Sequence, residues 1–333
     1  MNPYVESLKP VWENPQYVFV NDQAIDDLAC KLATDDLKAP TWREDVFPES
    51  EENILEFFGV ANAINFCFTD FKTGNKFDVE YPTGSGQIKK GSFAMTASLK
   101  RALDESVSIL DPKFLIDLDR RQVEKIFRCH ATAIPMLDER IENLRNVGWA
   151  LSNSAIKSFR QLFELCDYRL FANRHGILEI IPGILQSYLD TAIWKDRYLQ
   201  FQKRAQLLAA VYQGRALSSN GQLPLLKDVE KIGPIADYQL PRALRFVNVL
   251  RFHPILAKMV DSGKIIDERS IMWIEIRAQT VQAMCKLLQK INGLLAKLAR
   301  LPISMVELDY PIFIMGRNLP QLHPHPYVYT KAC

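Results

Sequence analysis

The chain has 333 residues, 48% of them hydrophobic and 24% charged, and its 41 basic and 39 acidic side chains leave a net charge of +2. That is enough chain to bury a large core. The balanced charge argues against a dedicated binder of long nucleic acid but leaves room for a small anionic ligand, which needs only a few donors. No apolar run of about 18 residues occurs, so no membrane span is expected. Met1 to Glu6 offer neither a basic n-region nor an apolar h-region, so no leader is expected either. The six cysteines, at 30, 67, 129, 166, 285 and 333, form no CxxC pair. Free thiols in a reducing, intracellular compartment are the expectation, with Cys67, Cys166 and Cys285 in the core.

In chain order, residues 1–17 are punctuated by Pro and Asn and read as a peripheral wrapping segment. Residues 21–35 read as a helix capped by Asn21 or Asp22. Pro40–Pro48 reads as a loop, and Glu51–Gly59 as a helix ended by its glycine. Ala63–Thr69 and Lys76–Tyr81 are rich in strand-forming residues and flank the turn signal Thr73-Gly74-Asn75, which predicts a β-hairpin near residues 63–81. The glycine-bearing loop Pro82–Gly91 leads into a helix from Ser92 to about Glu105. Beyond it the pattern is helical. Ala236, Leu240, Leu244, Val247 and Leu250 form one apolar stripe, and Ala278, Val281, Cys285, Leu288, Ile291, Leu295 and Leu298 form a longer one. The expected fold is mainly α, a compact helical fold with a small β-element, forming a single domain over residues 1–333.

Four polar clusters sit among apolar neighbours. Lys203-Arg204-Ala205-Gln206 precedes the run Leu207–Val211; if helical, Lys203 and Gln206 share a face that is either solvated or functional. Asp237, in Ile235-Ala236-Asp237-Tyr238-Gln239-Leu240-Pro241, is either a helix N-cap or a carboxylate positioned in a cleft. Glu275 and Arg277, between Trp273 and two isoleucines, are too close in sequence to pair with each other, so burial would demand other partners. Leu308-Asp309-Tyr310-Pro311 reads as a surface turn or a functional acidic stretch. No dinucleotide, P-loop or nucleophile-elbow motif is present. His323-Pro324-His325 has two prolines and reads as a mobile loop, so no metal site is expected.

Taken in order, these clusters resemble the queuosine salvage family. The resemblance runs from about residue 55 to the C-terminus. It is carried by Ala63-Ile64-Asn65-Phe66-Cys67-Phe68, by Gly91 with Leu99–Glu105, by Pro135 with Glu139-Arg140, and by Ser187-Tyr188 with Asp190. Further along it is carried by Phe201 with Lys203–Gln206, Ala236–Pro241, Glu275-Ile276-Arg277 and Leu308-Asp309-Tyr310. The chain departs from the family pattern at Thr69, Ser92-Phe93 and Phe313, where aromatic residues, mostly Trp, are usual.

The resemblance implies a fold similar to helix-hairpin-helix DNA glycosylases. It also implies hydrolysis of the N-glycosidic bond of queuosine 5′-phosphate, which releases queuine for reuse in tRNA modification. The family's essential carboxylate falls on Asp237, and the lysine of its KRAQ stretch on Lys203. Asn65 suits base-edge recognition, Phe66 stacking, and Lys203 and Arg204 phosphate or sugar oxygens; Tyr238 adjoins the carboxylate. Glu275, Arg277 and Asp309 either orient these groups or meet the amine of the base's side arm. The implied partner is this small molecule alone, without metal, organic cofactor, long nucleic acid or membrane, in the cytoplasm or the nucleus. Two other functions compete: a non-catalytic queuine- or deazapurine-binding module, suggested by the altered aromatics, and a DNA glycosylase. Against the latter, Lys231-Ile232-Gly233-Pro234 lacks the second glycine of a DNA-gripping hairpin.

Overall fold

The computed structural model describes residues 2–320 and 322–332, and these form fifteen α-helices and three separate two-stranded sheets. The chain divides into two compact units interleaved in sequence. One is built from residues 1–40, 190–206 and 229–333, the other from 41–189 and 207–228.

The spine of the first unit is the long helix Ile271–Lys297, which the apolar stripe anticipated. It starts where the Ser270 hydroxyl accepts the Trp273 amide at 3.2 Å, an ordinary N-cap. The helix Asp22–Leu32 and the strand Val18–Val20 lie along it. That strand pairs antiparallel with Leu250–Phe252, Phe19 opposite Arg251. The stripe expected to run to Leu250 is therefore shorter than read: a helix spans Gln239–Phe246 and Leu250 opens a strand. A hairpin pairs Thr191–Trp194 with Arg197–Gln200.

Residues 1–17 are not peripheral. They form two one-turn helices, Pro3–Ser7 and Lys9–Glu13. From them Leu8 and Val11 enter a core cluster with Trp194, Leu199, Phe201, Ala236, Ile274, Ala278 and Val281. Burying two aliphatic side chains is worth roughly 1.5–3 kcal/mol each, which outweighs the turn-forming tendency of Pro and Asn.

In the second unit, the helix Leu137–Asn153 packs against Pro112–Ile116 across Gly148, where a Cβ would lie 2.5 Å from the Pro112 carbonyl oxygen. The helix expected to stop at Gly59 instead runs Ile54–Ala63. Gly59 is there for contact rather than termination, since a Cβ would fall 2.2 Å from the Phe159 ring.

The β-hairpin exists but not where its composition placed it. Asp78–Glu80 pairs with Ile88–Lys90, and the run Ala63–Thr69 contributes a single bridge, Thr69 to Lys76. Two causes are visible. Cys67 has φ +40°, which takes the chain out of extended geometry. In addition, the fully buried Arg140 guanidinium takes the Phe66 and Cys67 carbonyls, removing them from any ladder.

A further helix spans Lys203–Leu217. Among the described residues no helix is long and apolar enough to cross a membrane.

Candidate active site

Asp237 lies where the chain enters the Gln239–Phe246 helix. Its Oδ1 accepts the amides of Gln239 at 2.7 Å and Leu240 at 3.1 Å. The carboxylate thus caps the helix, and the residue is only half-buried. The two readings of Asp237 are compatible, because two N–H donors at a helix N-terminus stabilise a negative charge there.

The loop before it is tied down twice. The Asp237 amide donates to the Ile235 carbonyl at 2.7 Å, and the Ile235 amide donates to Asp309 Oδ2 at 3.0 Å. Asp309 is not in a surface turn: it is buried in the helix Met305–Asn318, which runs through Pro311. Gly316 of that helix lies against the Gln239–Phe246 helix so closely that a Cβ would meet the Gln239 carbonyl oxygen at 2.2 Å.

Burial pushes the Asp309 carboxyl up to about 8, and the negative charge of Asp237 adds to the rise, while the Ile235 amide and the Lys203 ammonium oppose it. At neutral pH Asp309 therefore keeps its proton. Two carboxyl groups and a lysine form one electrostatic cluster, in which the outer carboxylate is held by amides and the inner group is neutral. Environments that separate two carboxyl groups in this way are the usual basis of an acid and base pair.

Lys203, 3% exposed, is the first residue of its helix. Its amide donates to Asp190 Oδ2 at 3.0 Å. Asp190 also receives the Arg277 guanidinium in a bidentate pair, at 2.8 and 2.5 Å, with both side chains nearly sealed from solvent. The Phe201 ring lies 3.9 Å from the guanidinium carbon, a cation–π contact in a desolvated site. Asp190 was visible only as part of the family resemblance. Nothing local marks it as a site residue, because its partner is 87 positions away.

The other expected residues fall into two groups. Glu275 is fully buried and accepts the amides of Gln16, Tyr17 and Val18, so it anchors the N-terminal segment to the long helix. Arg204 is buried beside Lys203, at 1% exposure. Tyr238 is half-buried, its ring 4.3 Å from that of the buried His325. Phe313, where the family pattern has Trp, stacks on Tyr310 at 6.2 Å and 23°.

Asn65 and Phe66 belong to the second unit. Asn65 is half-buried, with Nδ2 3.3 Å from Asn62 Oδ1. Phe66 is completely buried with the Arg140 guanidinium 4.4 Å from its ring centre, so the stacking face expected there is closed. Full burial under a guanidinium makes the ring part of the clamp on its own loop. No group of three or more His, Cys, Asp or Glu among the described residues is arranged to hold a metal ion.

The family model described as queuosine salvage protein matches residues 46–332. A Sphaerobacter thermophilus protein named queuosine 5′-phosphate N-glycosylase/hydrolase is 27% identical over 311 residues, covering 93% of this chain and 91% of its own. Proteins of the same name from Mus musculus and Nematostella vectensis are each 25% identical, over 328 and 256 residues. The mouse match covers 94% of this chain and 92% of its own, and the Nematostella match 74% and 70%. With the match extending through both units and across Asp190, Lys203, Asp237, Arg277 and Asp309, the chain belongs to the queuosine salvage protein family.

Proposed function

We propose that the protein hydrolyses the N-glycosidic bond of queuosine 5′-phosphate and releases queuine, the activity named for its relatives. One observation carries this reading: a half-exposed carboxylate, Asp237, is fixed by two backbone amides and stands in one electrostatic cluster with the buried Asp309 and Lys203.

Breaking a C1′–N bond builds positive charge on the sugar and negative charge on the departing base. Asp237 stabilises the first, and it also orients and deprotonates the attacking water. A preorganised group of this kind is worth about 3–4 kcal/mol. Its preorganisation comes from the loop: the tie to Asp309 and the capping bonds hold the carboxylate before substrate arrives. Lys203 supplies positive charge for phosphate or sugar oxygens, and Arg204 is assigned the same task. Tyr238 adjoins the reacting carboxylate and offers its ring to the substrate. Glu275 and Arg277 act at one remove, Glu275 through the N-terminal segment and Arg277 through Asp190. Asn65, in the other unit, keeps its expected base-edge role as a proposal of its own.

The proposal extends to the fold and setting. The helix-rich architecture supports a helix-hairpin-helix glycosylase type of fold, with residues 1–333 acting as one functional domain on a small cytoplasmic substrate. The test is release of queuine from queuosine 5′-phosphate, followed by chromatography and mass, for wild type and Asp237→Asn. Release that the variant loses by at least a hundredfold is expected. Binding of queuine without release by the wild type would replace this reading with a binding module.

A further inference from the structure

Asp237 accounts for the water and the sugar but not for the base. When C1′–N9 breaks, the bonding pair stays on the 7-deazaguanine, which departs as an anion unless a proton reaches it. A 7-deazapurine has no N7 to receive one, so the proton must be delivered to another edge of the ring system. The mechanism so far contains no donor for it.

We propose that Asp309 is that donor: the buried carboxyl gives its proton to the departing base while Asp237 takes one from water. The inference rests on the glycosidase reading above. Four observations support it. Asp309 is 7% exposed and sits on a helix packed against the one Asp237 caps. Its Oδ2 is taken by the Ile235 amide, two residues before Asp237, and Oδ1 receives no hydrogen bond from any described residue. One oxygen is thus left for a ligand. The acid is already protonated near neutrality, for burial raises it to about 8.

Finally, the charged groups around it are suited to the cycle. Asp237 and Lys203 face it with opposite effects. From the neighbouring helix Arg242 is turned to the carbonyls of Gly316, Leu319, Pro320 and His323. From the long helix Arg277 is engaged by Asp190 and Glu275 by the amides of residues 16–18. On its own helix Glu307 is held by Ser304, and Arg317 lies near the Tyr310 and Tyr238 phenols.

The step balances without any outside reagent. C1′–N9 breaks with its electron pair passing to the base, and the Asp309 proton passes to a ring position of that base, which leaves neutral. Water loses a proton to Asp237 and its oxygen bonds to C1′. Asp237 is then protonated and Asp309 ionised. Moving the proton from Asp237 back to Asp309 restores the starting state.

The discriminating experiment compares two leaving groups. Queuosine 5′-phosphate needs a proton on its base, whereas 4-nitrophenyl β-ribofuranoside 5-phosphate releases a stable nitrophenolate and needs none. For Asp309→Asn, a general acid predicts a loss of about 10²–10⁴-fold in kcat on the first substrate and a far smaller loss on the second. Asp237→Asn should impair both. In wild type, kcat for queuosine 5′-phosphate should fall as pH rises through about 8, and the nitrophenyl reaction should show no such fall. Parallel losses on both substrates in Asp309→Asn, or retention of queuine release within tenfold of wild type, would overturn the proposal. If that variant does not fold, the two wild-type pH profiles decide: identical alkaline limbs refute the acid. Wild-type protein that releases no queuine at all would instead refute the glycosidase reading itself.

Discussion

Replacing Arg277 with Met tests how much the site depends on a pair of charges that never touches bulk water. The guanidinium and the Asp190 carboxylate are 4% and 1% exposed. Removing the arginine strips the buried Asp190 carboxylate of its bidentate partner and leaves it, among the described residues, the Lys203 amide as donor. Breaking one side of a buried pair costs about 3–5 kcal/mol, most of it the uncompensated charge. For a chain of 333 residues melting as a whole, an unfolding entropy near 0.7 kcal/mol/K converts this to a fall in Tm of roughly 4–7 °C. The double variant Asp190→Asn with Arg277→Met has no buried charge left in the pair, while the amide oxygen can still accept from Lys203. It should therefore be more stable than Arg277→Met alone, a reversal that only coupled residues produce. Calorimetry and urea unfolding of wild type, both single variants and the double variant measure the cycle. A loss below about 1 kcal/mol in Arg277→Met, or a double variant weaker than either single, would refute the argument.

Gly316→Ala should destabilise by about 1–3 kcal/mol, because the new methyl meets the Gln239 carbonyl oxygen at 2.2 Å and backbone rather than a side chain must yield. Since the two helices carry Asp309 and follow Asp237, kcat should fall with stability, read from one enzyme preparation by melting and turnover. Glu275→Gln replaces an acceptor of three amides by a group with one carbonyl, so hydrogen exchange at Gln16, Tyr17 and Val18 should lose protection selectively. The Asp309 proton also predicts a pH dependence of stability. Between the usual carboxyl value of 3.8 and about 8 the folded chain holds a proton that the unfolded chain has released, so stability falls as pH rises and levels off above that window. Asp309→Asn should remove this slope, as seen in urea midpoints between pH 5 and 8.5; an unchanged slope would place the group's ionisation elsewhere.

What the sequence displayed and what it hid divide along physical lines. The helix Ile271–Lys297 was legible because one unbroken apolar stripe repeats at helical spacing along an element with an ordinary N-cap. The Asp237 cap was legible because capping is local chemistry. Of the two readings of the stretch around Asp309, the surface turn fails: Pro311 breaks the sequence pattern, yet the helix tolerates it and continues to Asn318. The strand tendency of Ala63–Thr69 was real but lost to Arg140, whose guanidinium arrives from more than seventy residues away. Glu275 and Arg277 were seen to need partners, but their partners, the amides of 16–18 and Asp190, lie 257 to 259 and 87 positions off. Long-range pairing of this kind leaves no periodic trace.

The interleaving of the two units sets an order of assembly during synthesis. Residues 41–189 emerge as a nearly continuous block, whereas the unit that carries Asp237 needs its first forty residues, a middle segment and everything after residue 229. The strand Val18–Val20 must wait for Leu250–Phe252. At about 5–20 residues per second on the ribosome that wait lasts on the order of ten to fifty seconds. Throughout it the strand Val18–Val20 stands unpaired, an edge open to pairing with other chains. Asp309 lies close to the end of the chain, so the charged cluster it forms with Asp237 and Lys203 cannot assemble until translation is nearly over.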